Sequence, residues 1–283
     1  MKLKRIKDRL RHSVLYRIYR MPRRFRIAMN YYTAPLKTLA AWTVRSREGG
    51  NFTYDLTPDN KGYLASFVSA VAGCSYSEAE KYIAEADNDM ELRDHVRRQT
   101  LRSEWRSDAD LDGHFGRRLG WYAFVRAHKP RVVIETGVDK GLGACLLCSA
   151  LMRNASEGSP GRYIGTDIDP NAGYLLTKPY SDFGEILYGD SLESLDRLVR
   201  EGEKIDLFIN DSDHSADYEA REYRKIESGL SERAIILGDN SHHTAELWNH
   251  AKATGRSFLF FREQPLNHWY PGSGIGIAFR PRR

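Results

Sequence analysis

The stretch RVVIETGVDKGLGACLLCSAL, residues 131–151, decides the fold. It opens with Val132, Val133 and Ile134, a β-branched apolar run that reads as a buried strand. It closes as GACLLCSAL, continued by MRN, which reads as a helix. Between the two lie Glu135, Gly137, Gly141 and Gly143. Glycines in such a turn accept positive φ and let the backbone come close to a ligand. The spacing is not the GxGxxG that wraps a dinucleotide pyrophosphate. No GK[ST] follows, so the loop is not the phosphate cradle of a nucleotide hydrolase either.

Working outward, the strand–helix pattern repeats. HFGRRLGWYAFVRAHKP (114–130) reads as a helix ending before Pro130. RYIGTDID (162–169) is a strand, and Leu192 to Arg200 a helix after GDS. IDLFIND (205–211) is a strand, followed by the amphipathic helix DYEAREYRKIESGL (217–230). AIILGDN (234–240) is a strand, TAELWNHAKATG (244–255) a helix, and SFLFFRE and GIGIAFRP close the chain as strands. Strands alternating with helices predict an α/β fold, a mostly parallel sheet covered on both faces. The last two strands follow one another with no helix between, so the final one is expected to run antiparallel.

Upstream, residues 57–100 read as helical. Thr57 with Pro58 is a cap and a first-turn proline, Gly73 a stop, and Ser75 the cap of SYSEAEKYIAEADND (75–89). Three divisions follow: a basic segment with an amphipathic helix (1–56), a helical cap or oligomerisation region (57–111), and the α/β domain (112–283).

Charge is unevenly placed. Residues 1–26 hold eleven Lys and Arg against one acid, Asp8, so a chain of +5 overall is −5 outside that segment. The basic character belongs to a tail, which argues against a nucleic-acid groove spread over the fold and for a local anionic contact. Leu3, Ile6, Leu10, Val14, Ile18 and Met21 recur at helical intervals among the arginines. That stripe suits a helix lying on an anionic membrane surface; a disordered tail or a helix packed on a partner subunit are the plainer readings. Pro22 is expected to end or kink it. No apolar run spans a membrane and no secretory signal follows the basic start. The expected setting is cytoplasmic, peripheral at the inner membrane surface, with the N-terminal helices favouring a homo-oligomer. Cys74, Cys145 and Cys148 are few and odd in number, as in a reducing compartment. The CxxC at 145–148 falls at one-turn spacing on a helix, where small core residues are the simpler account than zinc or redox chemistry.

The second strand ends in TDIDP, placing Asp167 where an acid can accept ribose hydroxyls. The third crossover begins at GDS, with Asp190 and Ser191 placed to meet an adenine edge, although Asp and Ser also suit a plain helix cap. An acid after strand two without a pyrophosphate loop fits an adenosine without phosphates. Here the sequence resembles the class I S-adenosylmethionine-dependent methyltransferases. ETGVDKGLG stands at the first motif, GTDID at the second, GDS at the third, and the likeness covers roughly residues 115–283. The resemblance implies a seven-stranded Rossmann-like sheet with S-adenosylmethionine as cofactor. It sets Glu135 and Gly137, with Gly141 and Gly143 of the same loop, near the methionine part, Asp167 at the ribose, and Asp190 with Ser191 at the adenine.

One run remains, DSDH at 211–214. Asp211 ends strand four, and Asp239 with Asn240 ends strand five. Two carboxylates and an amide oxygen on neighbouring strand ends form a hard-oxygen half-shell, which suits Mg²⁺ and not zinc. The pattern resembles the metal-dependent O-methyltransferases. In that likeness Asp211, Asp239 and Asn240 hold the metal. The histidine at 214, where the catechol-type enzymes carry lysine, resembles the branch of the macrocin and mycinamicin sugar O-methyltransferases. His214 is then the base, with Asp211 beside it, and anionic Asp213 is expected to strengthen it. The implied activity is Mg²⁺-assisted methyl transfer to a hydroxyl of a sugar, glycosylated metabolite or glycolipid. The alternatives are a methyltransferase for RNA, protein or a small aromatic, or a non-enzymatic membrane-docked module. Asp217 reads as a cap or surface acid, and His242 and His243 as loop residues. Trp269 and Tyr270 read as loop packing or a stacking surface for a sugar. Arg117 and Arg118 read as a solvated helix face or a contact to an anionic acceptor.

Overall fold

The computed structural model describes residues 14–48, 51–239 and 241–281, and only the backbone at 34 and 35. Leu3, Ile6 and Leu10 of the apolar stripe, and Asn240, lie outside the described residues. Two compact units are present: residues up to Ser46 with Asn267–Tyr270, and Arg47–Leu266 with Pro271–Arg283. The helices after residue 57 thus share a unit with the sheet, and the boundary falls at Ser46 rather than near 56.

The first unit is built on helix α1 (Val14–Arg45). Pro22 does not end it. The proline withholds one N–H from the carbonyl of Ile18, and Ile18 is exposed, so water can take up that carbonyl. The flanking Arg, Ile and Met favour helix on both sides. The Trp42 ring meets Trp269 edge-on at 5.3 Å, and Trp269 stacks on His268 at 5.8 Å. Trp269 is therefore taken up in packing within this unit.

The second unit begins with α2 (Pro58–Ala72), α3 (Tyr76–Asp87) and α4 (Met90–Arg102). Their ends are those the sequence announces. The Thr57 side chain accepts from the Asn60 N–H, Gly73 closes α2 at φ 68°, and Ser75 with Glu78 forms a reciprocal capping box. Then come α5 (Arg118–His128), β1 (Val132–Thr136), α6 (Leu142–Ser156), β2 (Arg162–Asp167) and β3 (Gly184–Tyr188). These are followed by α7 (Ser191–Arg200), β4 (Ile205–Asn210), α8 (Ala216–Ile226) and β5 (Leu230–Asp239). The chain closes with α9 (Glu246–Thr254), β6 (Ser257–Arg262) and β7 (Gly274–Phe279).

The seven strands lie in the order β3-β2-β1-β4-β5-β7-β6, and β7 runs antiparallel to both β5 and β6. One face carries α7, α8 and α9, whose Leu195, Leu198, Tyr223, Ile226 and Leu247 close over Ile134, Ile164, Phe208 and Ile236. The other carries α6, packed on α5 and β2. Cys145 and Cys148 are buried in α6, and burial pushes both thiols up, away from the reactive thiolate.

The strand order reverses between β1 and β4, which opens a crevice at the carboxyl ends. Register sets what lines it. Thr136 lies opposite Thr166 and Asn210, and Asn210 opposite Gly238. The next residue along each strand is therefore Gly137, Asp167, Asp211 and Asp239, four neighbours on one edge. Gly137 has φ 82°, and a Cβ there would lie 2.1 Å from the Asp211 carbonyl oxygen. Gly137→Ala should therefore lower stability by roughly 3 kcal/mol or more in urea unfolding, because the loop must leave the β4 end. Gly202, also left-handed at φ 87° but in open space, is the control. Gly202→Ala should cost only about 1–2 kcal/mol; equal losses at the two positions would show that close approach at Gly137 does not matter.

Candidate active site

On the β1–β2 side, Asp167 is held by backbone. Its Oδ2 accepts from the N–H groups of Val138 and Asp139, each at 2.9 Å, and its Oδ1 from Asp169 at 2.9 Å. The acid thus fixes the glycine loop to the end of β2. Beside it Ile168 is 81% exposed, an apolar surface on the crevice edge that the sequence reading passed over between two aspartates. Gly141 closes the loop at φ 91°.

Glu135 is buried beneath this loop, where the Tyr163 hydroxyl donates to it at 2.5 Å. Gly143 leaves room for that carboxylate: a Cβ there would lie 2.5 Å from Glu135 Oε1. Burial pushes Glu135 up to about 7, although the Tyr163 hydroxyl favours its charged form.

Asp190 caps α7, accepting from the Leu192 N–H at 2.7 Å, and the Tyr218 hydroxyl lies 3.2 Å from the same oxygen. Ser191 is buried and turned inward to Glu222 and Tyr218. Glu222 of α8 is an acid that sequence reasoning missed. It is fully buried, and the side chains of Thr136, Ser191, Asn210 and Ser212 all donate to it. A helix-face glutamate is ordinarily solvated, and no local signal marks this one as a hub joining the ends of β1 and β4 to the start of α7.

Across the crevice, ligand atoms of Asp211, His214 and Asp239 lie within 4.8 Å of one another. His214 Nε2 is 3.7 Å from Asp211 Oδ1, and its Nδ1 is 3.4 Å from Glu219 Oε1. The expected partner, Asp213, is instead spent on the Ser215 N–H at 2.8 Å, at the entry to α8. Glu219, buried one turn into α8, takes that place because the helix turns it back under the imidazole. Thr244 holds its other oxygen. The hydrogen bond that His214 donates to the Glu219 carboxylate raises it above the ordinary imidazole value, against burial, which lowers it. His243 stacks on His214 at 6.2 Å and the tilted His242 ring lies 4.1 Å from His243, so these loop histidines lie beside the site. Asp217 is the surface acid expected, 3.9 Å from Arg221.

The arginines are not a solvated face. Arg117 is buried, and its Nε and Nη2 fork both oxygens of Asp239. Its Nη1 and backbone N–H donate to Glu263 at 3.3 and 2.8 Å, and Tyr54 donates to Glu263 at 2.9 Å. Arg118 lies over the Trp121 ring at 5.2 Å and 3.7 Å from Asp211 Oδ2. Burial would raise Asp239, but Arg117 holds it below the usual carboxylate range. Burial and the neighbouring Asp239 charge raise Asp211.

The two carboxylates at this spacing form a donor pair that fits a small divalent cation, with the His214 imidazole beside it. Each Asp239 oxygen keeps a second lone pair beyond the one used by Arg117. Among the described residues no helix is long and apolar enough to cross a membrane.

Residues 134–241 match the family model described as a methyltransferase domain. The fold is similar to that of an O-methyltransferase from Bacillus cereus in complex with S-adenosylhomocysteine. That likeness has a TM-score of 0.50 at 16% identity, covering 68% of this chain and 91% of that one. TomG from Streptomyces achromogenes, an O-methyltransferase involved in tomaymycin synthesis and solved with S-adenosylmethionine, gives a TM-score of 0.48 at 17% identity, over 68% and 90%. The Podospora anserina methyltransferase PaMTH1, bound to S-adenosylhomocysteine, gives 0.47 at 16% identity, over 83% and 100%. No curated protein matches the chain. The architecture is thus the Rossmann-like class I methyltransferase fold. Residues 134–241, which match the methyltransferase-domain model, contain the three stretches that the sequence resemblance singled out.

Glu135 gives the domain a pH signature. Below pH 4.5, its ordinary value, the carboxyl is protonated folded or unfolded; between there and about 7 only the unfolded chain releases the proton. Stability should therefore fall across that window by roughly 3 kcal/mol and level off above it. Glu135→Gln should remove this part of the slope in urea titrations at stepped pH. Parallel profiles for the two proteins would mean that Glu135 is ionised in the fold.

Proposed function

We propose that the protein is an S-adenosylmethionine-dependent O-methyltransferase acting on a hydroxyl of a sugar or glycosylated acceptor, with a divalent cation, Mg²⁺ by its oxygen donors, at the carboxylate pair. The observation that carries the reading is His214, set between Asp211 and buried Glu219 at the carboxyl end of β4. This is the arrangement of a base with an orienting carboxylate, facing the crevice opposite the glycine loop.

The roles divide along the switch point. Asp167 and Ile168 offer a carboxylate and an apolar face to a nucleoside, Asp190 a second acceptor, and Gly137 a backbone with no side chain in the way. Glu135, beneath the loop, is the acid on the methionine side. Across the crevice Asp211 and Asp239, with Asn240 as the sequence implies, would hold the cation. When bound, the cofactor supplies a methyl carbon on a sulfonium and the cation polarises the acceptor oxygen. His214 takes the hydroxyl proton, and Glu219 keeps the ring turned toward Asp211 and stabilises the imidazolium that results. Arg117 and Arg118 fix the two aspartates so that the acceptor meets a preset field rather than one that must reorganise. A sugar hydroxyl needs this because its pKa lies far above neutrality. An amine would not, which favours oxygen over nitrogen as the methylated atom.

His214→Ala should lower turnover about a hundredfold to ten-thousandfold, with S-adenosylhomocysteine affinity unchanged by calorimetry. A loss of only two- or threefold would remove His214 from the base role. Chelation of divalent ions should abolish turnover on a sugar-hydroxyl acceptor and leave S-adenosylhomocysteine binding intact. Full activity in metal-free enzyme would assign the carboxylates to the arginines alone.

A further inference from the structure

Helix α1 carries an apolar face and a cationic face. Val14, Ile18, Met21, Phe25, Tyr32 and Leu36 succeed one another at steps of three, four or seven residues, on one side of the helix. Each of them is more than half exposed. The helix also carries seven Lys and Arg, at 17, 20, 23, 24, 26, 37 and 45, and no Asp or Glu. Arg20, Arg23 and Arg45 stand opposite the apolar stripe, and the other four stand along its flanks.

We propose that α1 docks on an anionic bilayer surface, lying in the headgroup plane with the stripe turned inward. The charge pattern selects this occupant. Pairing with α1 of a second copy would set seven cations against seven, with no carboxylate in either helix to answer them. Helix pairing of that kind relies on opposite charges beside the seam. An anionic lipid surface meets both faces at once, the stripe through apolar burial and the arginines through headgroup phosphates. Phe25 and Tyr32, on the stripe itself, are exposed aromatics of the type that settles at a membrane interface. Its arginines keep α1 from crossing the bilayer, and its 32 residues extend about 48 Å along it. This inference stands apart from the carboxylate site and does not rest on the acceptor assigned there.

The test is co-sedimentation of the full chain with vesicles of pure phosphatidylcholine and with vesicles of equal parts phosphatidylcholine and phosphatidylglycerol. The protein should bind the anionic vesicles at low salt, ignore the neutral ones, and be released in large part as salt rises. Each cation near the surface adds on the order of fivefold to binding. The triple variant Arg23→Glu, Arg24→Glu, Arg26→Glu should therefore weaken partition by roughly a hundredfold or more. Phe25→Asp should weaken it about tenfold or more, through lost apolar burial together with one added negative charge. Circular dichroism and S-adenosylhomocysteine binding should be unaltered in both variants, which separates lost docking from lost folding. Absence of binding to anionic vesicles at low salt would overturn the proposal. So would a self-associated species in sedimentation equilibrium that Phe25→Asp dissolves, since the stripe would then belong to a second copy.

Discussion

The site is organised around one buried cation. Arg117 lies between Asp239 and Glu263, two acids with no exposure at all, and without it both would stand as uncompensated charges in the interior. A buried ion cluster of this kind gains little over a well-packed apolar one, but removing one member is costly. What it secures is position. The guanidinium fork sets the plane of the Asp239 carboxylate, and Glu263 and Tyr54 set the guanidinium. Gly116 and Gly272 make room for the cluster. A Cβ at Gly116 would lie 3.1 Å from Glu263 Oε1, and one at Gly272 would lie 2.4 Å from the Glu263 carbonyl oxygen. The end of β5, the start of α5 and the end of β6 are thereby tied at a single point.

Much of this was legible in the sequence, and what was not follows one rule. Alternating β-branched strands and amphipathic helices gave the sheet. The lack of a helix between SFLFFRE and GIGIAFRP gave the reversed last strand. Thr57, Gly73 and Ser75 gave helix ends, because capping is local chemistry. Asp167, Asp211 and Asp239 were legible as residues that end apolar strands, and register then brought them to one edge. Arg117, Glu219 and Glu222 were not. Each sits in a polar stretch that would suit solvent, and its burial is decided by partners far away in sequence or by how one helix face meets the sheet. Asp213 was misplaced for the complementary reason. It is the nearer neighbour of His214 along the chain, but the Ser215 N–H claims it, whereas Glu219 lies one helical turn on and beneath the ring.

The crevice is asymmetric in its chemistry. On the β1–β2 side the polar groups are saturated by backbone N–H donors and hydroxyls. Asp167 has three backbone donors and Glu135 a tyrosine, and at the switch point between β1 and β4 Glu222 has four neutral side chains. On the β4–β5 side they are met by formal charge: Arg117, Arg118 and an imidazole. A saturated, neutral-donor environment suits a ligand whose recognition must be constant. A charged one suits a place where protons and charge move, since its field is strong and poorly screened inside the protein.

The span of these contacts bears on how the chain matures as it is made. Arg117 is 122 residues from Asp239 and 146 from Glu263 along the sequence. A ribosome extends the chain from the arginine outward, so α5 and β1 emerge with their central cation unmatched and must wait for the penultimate strand. Loop-closure entropy over such a distance is recovered only when β5 and β6 add to the sheet. The nascent chain can therefore assemble the β1–β2 side first, from β1, β2 and β3. The acid–arginine centre can be completed only once β5 and the residue after β6 have been made.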